Sequence, residues 1–200
     1  MRNVFLLSAL AVMTASGPAM AAEPSAPAGE PAAAVSREAL ETSTLDKLFA
    51  ELKRERNPQA AERISRRIWN EWHKSGSASI DLMMKWSNDA VAGQKYDVAL
   101  DFLDQVVTLQ PGFAEGWNRR ATVHFLMRNF GKSMADIERT LELEPRHFGA
   151  LSGMAQIMKD TGRRELALQA WQRVLDIYPM MRSAQGEIAT LSEELAGESI

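Results

Sequence analysis

The chain has 200 residues, 46% hydrophobic and 24% charged, with a formal net charge of −3 and no cysteine. This is enough for one domain with a real core; it excludes collagen-like and wholly disordered classes, and the slight acidity speaks against nucleic acid as the main ligand. Without cysteine no disulfide can staple the fold, which must stand on its core alone.

Residues 1–21 have the pattern of a cleavable export signal. Arg2 supplies the positive charge, Val4 to Met13 is an apolar run, and Ala19-Met20-Ala21 puts small residues where a signal peptidase reads, with cleavage expected after Ala21. An apolar run of about ten residues falls short of the roughly 20 that span a bilayer, so a membrane anchor is not expected. Cleavage removes Arg2 and no acid, leaving −4, and no lipid-carrying cysteine follows. The mature protein is therefore expected to be soluble, with no integral membrane segment and no lipid anchor.

Residues 22–43 hold Pro24, Pro27 and Pro31 among alanines and glutamates. No apolar periodicity could bury a face there, as befits a flexible leader. Order is expected to begin near Ser43 or Thr44, either a suitable N-cap, with Leu45, Leu48, Phe49 and Leu52 following at helical spacing. Asn57-Pro58 ends that helix. A second, from about Gln59 to Lys74, carries Ala61, Ile64, Ile68, Trp69 and Trp72 on one side and Arg63, Arg66 and Arg67 largely on the other, where charge reads as a solvated face. Ser75-Gly76-Ser77 breaks it.

From Ile80 the chain repeats. Pro111, Pro145 and Pro179 stand 34 residues apart, and rows 80–113, 114–147 and 148–181 place like residues in the same columns. Column eight holds Ser87, Ala121 and Ala155; column twenty holds Ala99, Ser133 and Ala167. Met83, Trp117 and Leu151, then Leu103, Ile137 and Trp171, then Leu109, Leu143 and Ile177 form large apolar columns. Each row divides into two helices: Ile80 to Ala92 and Tyr96 to Gln110, Trp117 to Arg128 and Lys132 to Glu144, Ala150 to Lys159 and Arg164 to Tyr178. The turns are expected at Gly93-Gln94, Asn129-Phe130-Gly131 and Asp160-Thr161-Gly162. Turns this short force antiparallel pairs, and the small columns mark where two helix backbones come closest. Carried back by 34, the frame sets Phe49 under Met83, Ser65 under Ala99 and Trp69 under Leu103, although Ser77 stands where a proline is expected. Residues 44–79 thus read as a degenerate repeat or N-terminal cap, which repeat arrays need to cover an open face. Residues 182–200 read as a last, capping helix with Ile188, Leu191 and Leu195 on one stripe.

Tyr96-Asp97-Val98-Ala99-Leu100 through Leu109-Gln110-Pro111, and Trp117-Asn118-Arg119-Arg120-Ala121, resemble the tetratricopeptide repeat (TPR), a 34-residue helix-turn-helix family. The resemblance implies an all-α, right-handed α-solenoid of helix-turn-helix repeats. Arg120, in a column usually apolar, and Thr140 depart from the pattern.

No reactive constellation occurs. There is no Gly-rich phosphate loop and no Gly-x-Ser-x-Gly elbow, and His73, His124 and His147 have no paired metal-ligand spacing. No enzyme, cofactor or metal is therefore expected. His124 reads as a satisfied core or groove histidine, and Trp69, Trp86, Trp117 and Trp171 as core. Trp72, between Glu71 and His73, is the least defined.

The resemblance further implies a concave groove lined by the first helix of each pair. The columns that face it in the family hold Met84, Lys85 and Asn88, then Asn118, Arg119, Thr122 and Phe125, then Ser152, Gln156 and Lys159. Amides offer donor and acceptor together to a peptide main chain, and Arg119 or Lys159 could meet an acid. Chaperone-binding members grip a C-terminal carboxylate with lysine, asparagine and arginine in set columns. Only Asn88 falls in register here; Met84, Arg119, Gly149 and Gly153 occupy the other places, so that clamp is not expected. The resulting expectation is a non-catalytic protein-protein interaction module, a periplasmic scaffold or adaptor that binds a peptide or protein segment in its groove, resembling exported bacterial TPR proteins in cell-envelope assembly. A self-associating structural envelope protein, a homo-oligomer, is the alternative.

Overall fold

The computed structural model describes residues 44–198, so the expected signal, leader and Ser43 lie outside the described residues. Among these residues are nine α-helices and no strand. They are α1 (44–54), α2 (Pro58–Trp72), α3 (Ala78–Ala92), α4 (Tyr96–Leu109), α5 (Ala114–Leu126), α6 (Phe130–Leu143), α7 (Phe148–Asp160), α8 (Arg164–Ile177) and α9 (Arg182–Glu198). None is long and apolar enough to cross a membrane.

Local chemistry sets the boundaries. Asn57 caps α2 by accepting the Ala60 N–H at 3.0 Å, and Pro58 supplies a φ already fit for the first helical position. His147 caps α7 in the same way, its Nδ1 accepting the Ala150 N–H at 3.1 Å. The antiparallel pairs α3/α4, α5/α6 and α7/α8 each meet at the two small columns, where Ser87, Ala121, Ala155, Ala99, Ser133 and Ala167 are all buried. In the middle pair the contact is direct: Ser133 Oγ donates to the Ala121 carbonyl at 2.8 Å.

The three tight turns hold one residue each in the left-handed region: Gln94, Arg128 and Gly162, one 34-residue period apart, with φ of 56°, 58° and 75°. The middle turn therefore lies earlier than expected. Phe130 and Gly131 open α6, and the chain reverses at Arg128, a residue type that carries no turn signal. Arg120 is accommodated by ions rather than by apolar packing. Its guanidinium donates to both Asp136 oxygens at 2.8 and 2.7 Å and to Asp104 at 2.8 Å, and it lies over the Trp117 ring. The buried Thr140 hydroxyl donates to the Asp136 carbonyl at 2.8 Å.

The cores show where the N-terminal pair goes. Ile80, Met84, Ala99, Leu103, Val106 and Phe113 form one cluster around α3 and α4. Ala121, Ile137, Ala150 and Ile157 form a second between the middle and last pairs. Leu48, Phe49, Leu52, Ile64, Ile68 and Trp72 join neither; they share a core with Phe148, Leu151, Trp171, Val174, Tyr178 and, on α9, Ala184 and Leu191. The α1–α2 hairpin thus folds back onto the last helix pair instead of lying under Met83 and Leu103. Its aromatic surface finds matching rings there in His147 and Phe148. The diversion leaves the outer face of α3 and α4 in water, so Trp86, expected in the core, is 44% exposed. Helix α9 covers the opposite end against α8 and is tied there by Lys159 to Glu187 at 2.6 Å and Arg164 to Glu194 at 3.1 Å.

Candidate functional site

The inner wall between α5 and α7 carries a small pocket of about 150 Å³ lined by Asn118, Ala121, Thr122, Phe125, Ser133, Ile137, Gly149, Ala150, Gly153 and Gln156. Gly149 and Gly153 stand one turn apart on α7; the missing side chain of Gly153 leaves space toward Ile137, whereas that of Gly149 makes way for the Trp69 ring. A drug-sized ligand needs about 300 Å³ or more; this space suits a single side chain. Gly149 also borders a wider cleft of about 490 Å³ between α2, α7 and the start of α9, with Trp69, Phe148, Tyr178, Met180, Met181 and Ser152 on its walls and Gln59, Glu62 and Arg182 at its margins.

Between the two stands the end of α2. The Trp69 ring comes so close to Gly149 that a Cβ there would meet ring carbons at 2.6 and 2.9 Å. Trp72 stacks on the His147 ring, centroids 4.0 Å apart and planes within 10°, while Trp69 meets His147 and Phe148 edge-on. Asp46 on α1 pairs with Arg146 at 2.7 Å, and that guanidinium covers the Phe49 ring at 4.3 Å.

Under this aromatic lid lies Glu115, on the first turn of α5 and buried. Its Oε1 accepts from Arg119 Nε at 2.6 Å, and its Oε2 from Asn118 Nδ2 at 2.9 Å and His147 Nε2 at 3.2 Å. Because His147 Nδ1 accepts the Ala150 N–H, the ring proton sits on Nε2 and points at the carboxylate. His73, at the end of α2, donates Nδ1–H to the Trp69 carbonyl at 2.6 Å, and its Nε2 stands 2.7 Å from Arg119 Nη2 and 3.4 Å from Glu115 Oε1, accepting from the guanidinium when the ring is neutral and donating to the carboxylate when it is protonated. Burial pushes the Glu115 carboxyl up, but the His147 and His73 hydrogen bonds and the Arg119 charge outweigh it and hold the group well below the usual carboxylate range. Hydrogen bonding to Glu115 raises His73 above the ordinary histidine value, against burial and the Arg119 charge. Both carboxylate oxygens are engaged, so this cluster is a latch between hairpin and groove.

The expected groove residues divide accordingly. Asn118, Thr122, Phe125 and Gln156 do line one pocket. Asn118 Nδ2 and Arg119 Nε donate to Glu115, and Arg119 Nη2 meets His73, so both side chains take part in the latch. Ser152 lines the wider cleft, its hydroxyl returned to the Phe148 carbonyl. Lys159 is paired with Glu187 on α9. Met84 is buried in the α3/α4 core, not presented to the groove; Lys85 and Asn88 are exposed on α3, Lys85 paired with Asp89 at 2.7 Å. Glu115, His73 and His147 escaped sequence reasoning because the two histidines are 74 residues apart and meet only through the fold-back of the hairpin. The one sequence signal was Gly149 and Gly153 in columns where side chains are usual. His124 is buried as expected but not satisfied: Nδ1 has no hydrogen-bond partner, Nε2 is 4.0 Å from Asp136, and burial lowers its pKa.

A TPR repeat-containing protein of Rhizobium etli is 54% identical over 153 residues, 76% of this chain and 75% of that protein. The chain belongs to the tetratricopeptide repeat family. No protein-family model matches it. The small glutamine-rich TPR protein 2 of Saccharomyces cerevisiae is 26% identical over 117 residues, covering 58% of this chain and 34% of that one. Among solved structures, the first TPR domain of Spaghetti (RPAP3), bound to the HSP90 peptide SRMEEVD, superposes with a TM-score of 0.57 at 22% identity, covering 60% of this chain and 95% of that domain. At that identity the likeness speaks for the fold. The TPR chain therefore has the solenoid that its 34-residue period predicted, with a fold-back hairpin latched across it.

Proposed function

We propose that this TPR chain is a non-catalytic interaction module that holds an extended segment of a partner protein along its inner groove. One side chain of the segment enters the pocket between α5 and α7. The observation that carries the reading is the pocket itself: sized for one side chain, apolar at its floor through Ala121 and Ile137, and rimmed by Thr122 and Gln156, which can bond a peptide main chain. The peptide bound by the first TPR domain of Spaghetti is in keeping with it. The same reading places the protein in the bacterial periplasm as an envelope scaffold, on the strength of Arg2, the apolar run and Ala19-Met20-Ala21.

Crosslinking and affinity capture on the exported protein, with wild type beside Gly153→Leu, tests it. The added Cβ stands 3.4 Å from Ile137 Cδ1, so the leucine fills the pocket without displacing backbone. Capture is expected to fall about tenfold or more with the helical circular dichroism unchanged, as for loss of one anchor. Equal capture by both proteins would rule the pocket out. Fractionation that finds the protein in the cytoplasm would dismiss the periplasmic role. A second reading, self-association, is favoured by the uncovered face of α3 and α4.

A further inference from the structure

The cleft between α2, α7 and the first turn of α9 is apart from the pocket of the groove. Trp69, Met180 and Met181 stand half-buried on its walls, with Phe148 and Tyr178 beside them, around about 490 Å³ of space. That falls in the range of about 300–1,000 Å³ that ligands of several groups fill. Walls of this kind suit proline-rich chain: a polyproline helix has no internal hydrogen bonds, turns every three residues and is already extended, so little freedom is lost when its rings settle on aromatic faces. The mouth of the cleft is positive. Of the described residues that line it Glu62 alone is acidic, and Arg66 neutralises it at 3.0 Å, whereas Arg182 is exposed and has no acid partner among the described residues.

We propose that the cleft receives the chain's own residues 23–31, with Pro24 and Pro27 against the aromatic wall and a flanking glutamate, Glu23 or Glu30, meeting Arg182. Three features select this segment. First, Pro24 and Pro27 are three residues apart, so in a polyproline helix both fall on one edge. Second, the charges match. Residues 22–43 hold four glutamates and one arginine, net −3, whereas the hairpin that walls the cleft, residues 44–74, holds eight Lys or Arg against five Asp or Glu, net +3. Residues 75–198 hold thirteen against seventeen, so the attraction is particular to the hairpin. Third, the described chain starts beside the cleft: Asp46, in the first turn of α1, pairs at 2.7 Å with Arg146, two residues before Phe148 on the cleft wall. Pro31 is 13 residues ahead of Thr44, up to about 40 Å of extended chain, and α2 from Trp69 to Pro58 spans only about 17 Å. A tether of this kind holds the segment at an effective concentration of the order of millimolar, which favours it over the same chemistry on a separate chain. Once docked, the segment covers the Trp69 ring that seats the hairpin on α7. The inference is independent of the groove.

Paramagnetic broadening in the purified full chain tests it. The sequence has no cysteine, so Ala28→Cys gives a single site for a nitroxide label. With the label oxidised rather than reduced, the Trp69 indole N–H and the amides of Gly149, Ser152 and Ser183 are expected to lose intensity, while the Trp86 amide on α3 keeps it. Arg182→Glu, and separately Pro24→Ser together with Pro27→Ser, should each return most of the lost intensity with the circular dichroism unchanged. Labelled chain mixed with unlabelled, isotope-enriched chain should show no loss, because the contact lies within one molecule. Cleft signals indifferent to the label overturn the inference and leave the cleft to a separate protein. Loss that survives both sets of substitutions reports only the nearness of a tethered chain and overturns it as well, and loss in the mixture assigns the segment to a neighbouring copy and overturns docking within the chain. Gly153→Leu, which tests the groove, should leave the broadening in place, so the two readings fail separately.

Discussion

Gln94, Arg128 and Gly162 share one turn position and one backbone conformation, yet only the third is the residue type that conformation favours. An L side chain in the left-handed region costs roughly 1 kcal/mol through the approach of Cβ to the following carbonyl. Arg128→Gly and Gln94→Gly are therefore each expected to stabilise the chain by about 0.5–1 kcal/mol in urea denaturation, less what the freer unfolded chain takes back. Unchanged or lower midpoints would mean that neither turn is strained. The period of 34 predicted where these turns recur. Counted from Gln94 it marks Arg128 as the middle one; the expected turn fell later because Gly131, the obvious breaker, drew it there, and Gly131 is simply helical.

Among the elements, the hairpin of α1 and α2 depends on contacts made at its far end. Gly149→Val puts branched carbon where the Trp69 ring lies and should lift α2 from α7, costing about 2 kcal/mol as overpacking does. Tryptophan emission shifted toward that of exposed indole would report the undocking; emission identical to wild type would show that Trp69 is not held there. The latch beneath it should be pH-dependent at both ends. Glu115 has its folded pKa lowered, so its contribution is present above the unfolded carboxylate value of about 4.3 and is lost as acid approaches the folded value. His73 has its folded pKa raised, so its contribution is complete below the ordinary histidine value of about 6.5 and is lost as pH rises through the folded value. Glu115→Gln should flatten the acid limb of a stability-against-pH profile and cost about 3 kcal/mol at neutral pH, because it strips a buried network of its charge. A variant profile that parallels wild type in acid would remove Glu115 from the latch. Nothing in the spacing of His73, Glu115 and His147 foretold this, since the residues come from three elements and no period relates them.

For the molecule as a whole, the cores are unequal. The hairpin, α7, α8 and α9 share one large cluster, whereas α3 and α4 rest on a smaller one and keep an apolar face in water. In a solenoid each unit draws stability from its neighbours, and α3 and α4 have a covered neighbour on one side alone. Native-state hydrogen exchange should find the amides of α3 and α4 opening before those of α7 and α8 at protein concentrations too low for self-association. Simultaneous opening would mean that the hairpin couples both ends into one cooperative unit.

The all-α class, the helix pairs and the buried small columns were legible in the chain because each follows from residues within a few turns of one another, repeated three times. Part of the inner pocket was legible through the tetratricopeptide resemblance, whose groove-facing columns hold Asn118, Thr122, Phe125 and Gln156. The destination of the hairpin was not, since its amphipathic helices would serve as well under α3 as against α7. That choice rests on the fit of Trp69 over Gly149, the stacking of Trp72 on His147 and the burial of Glu115 between them, the first two being contacts across more than 70 residues of chain, and their energies exist only once the solenoid has formed.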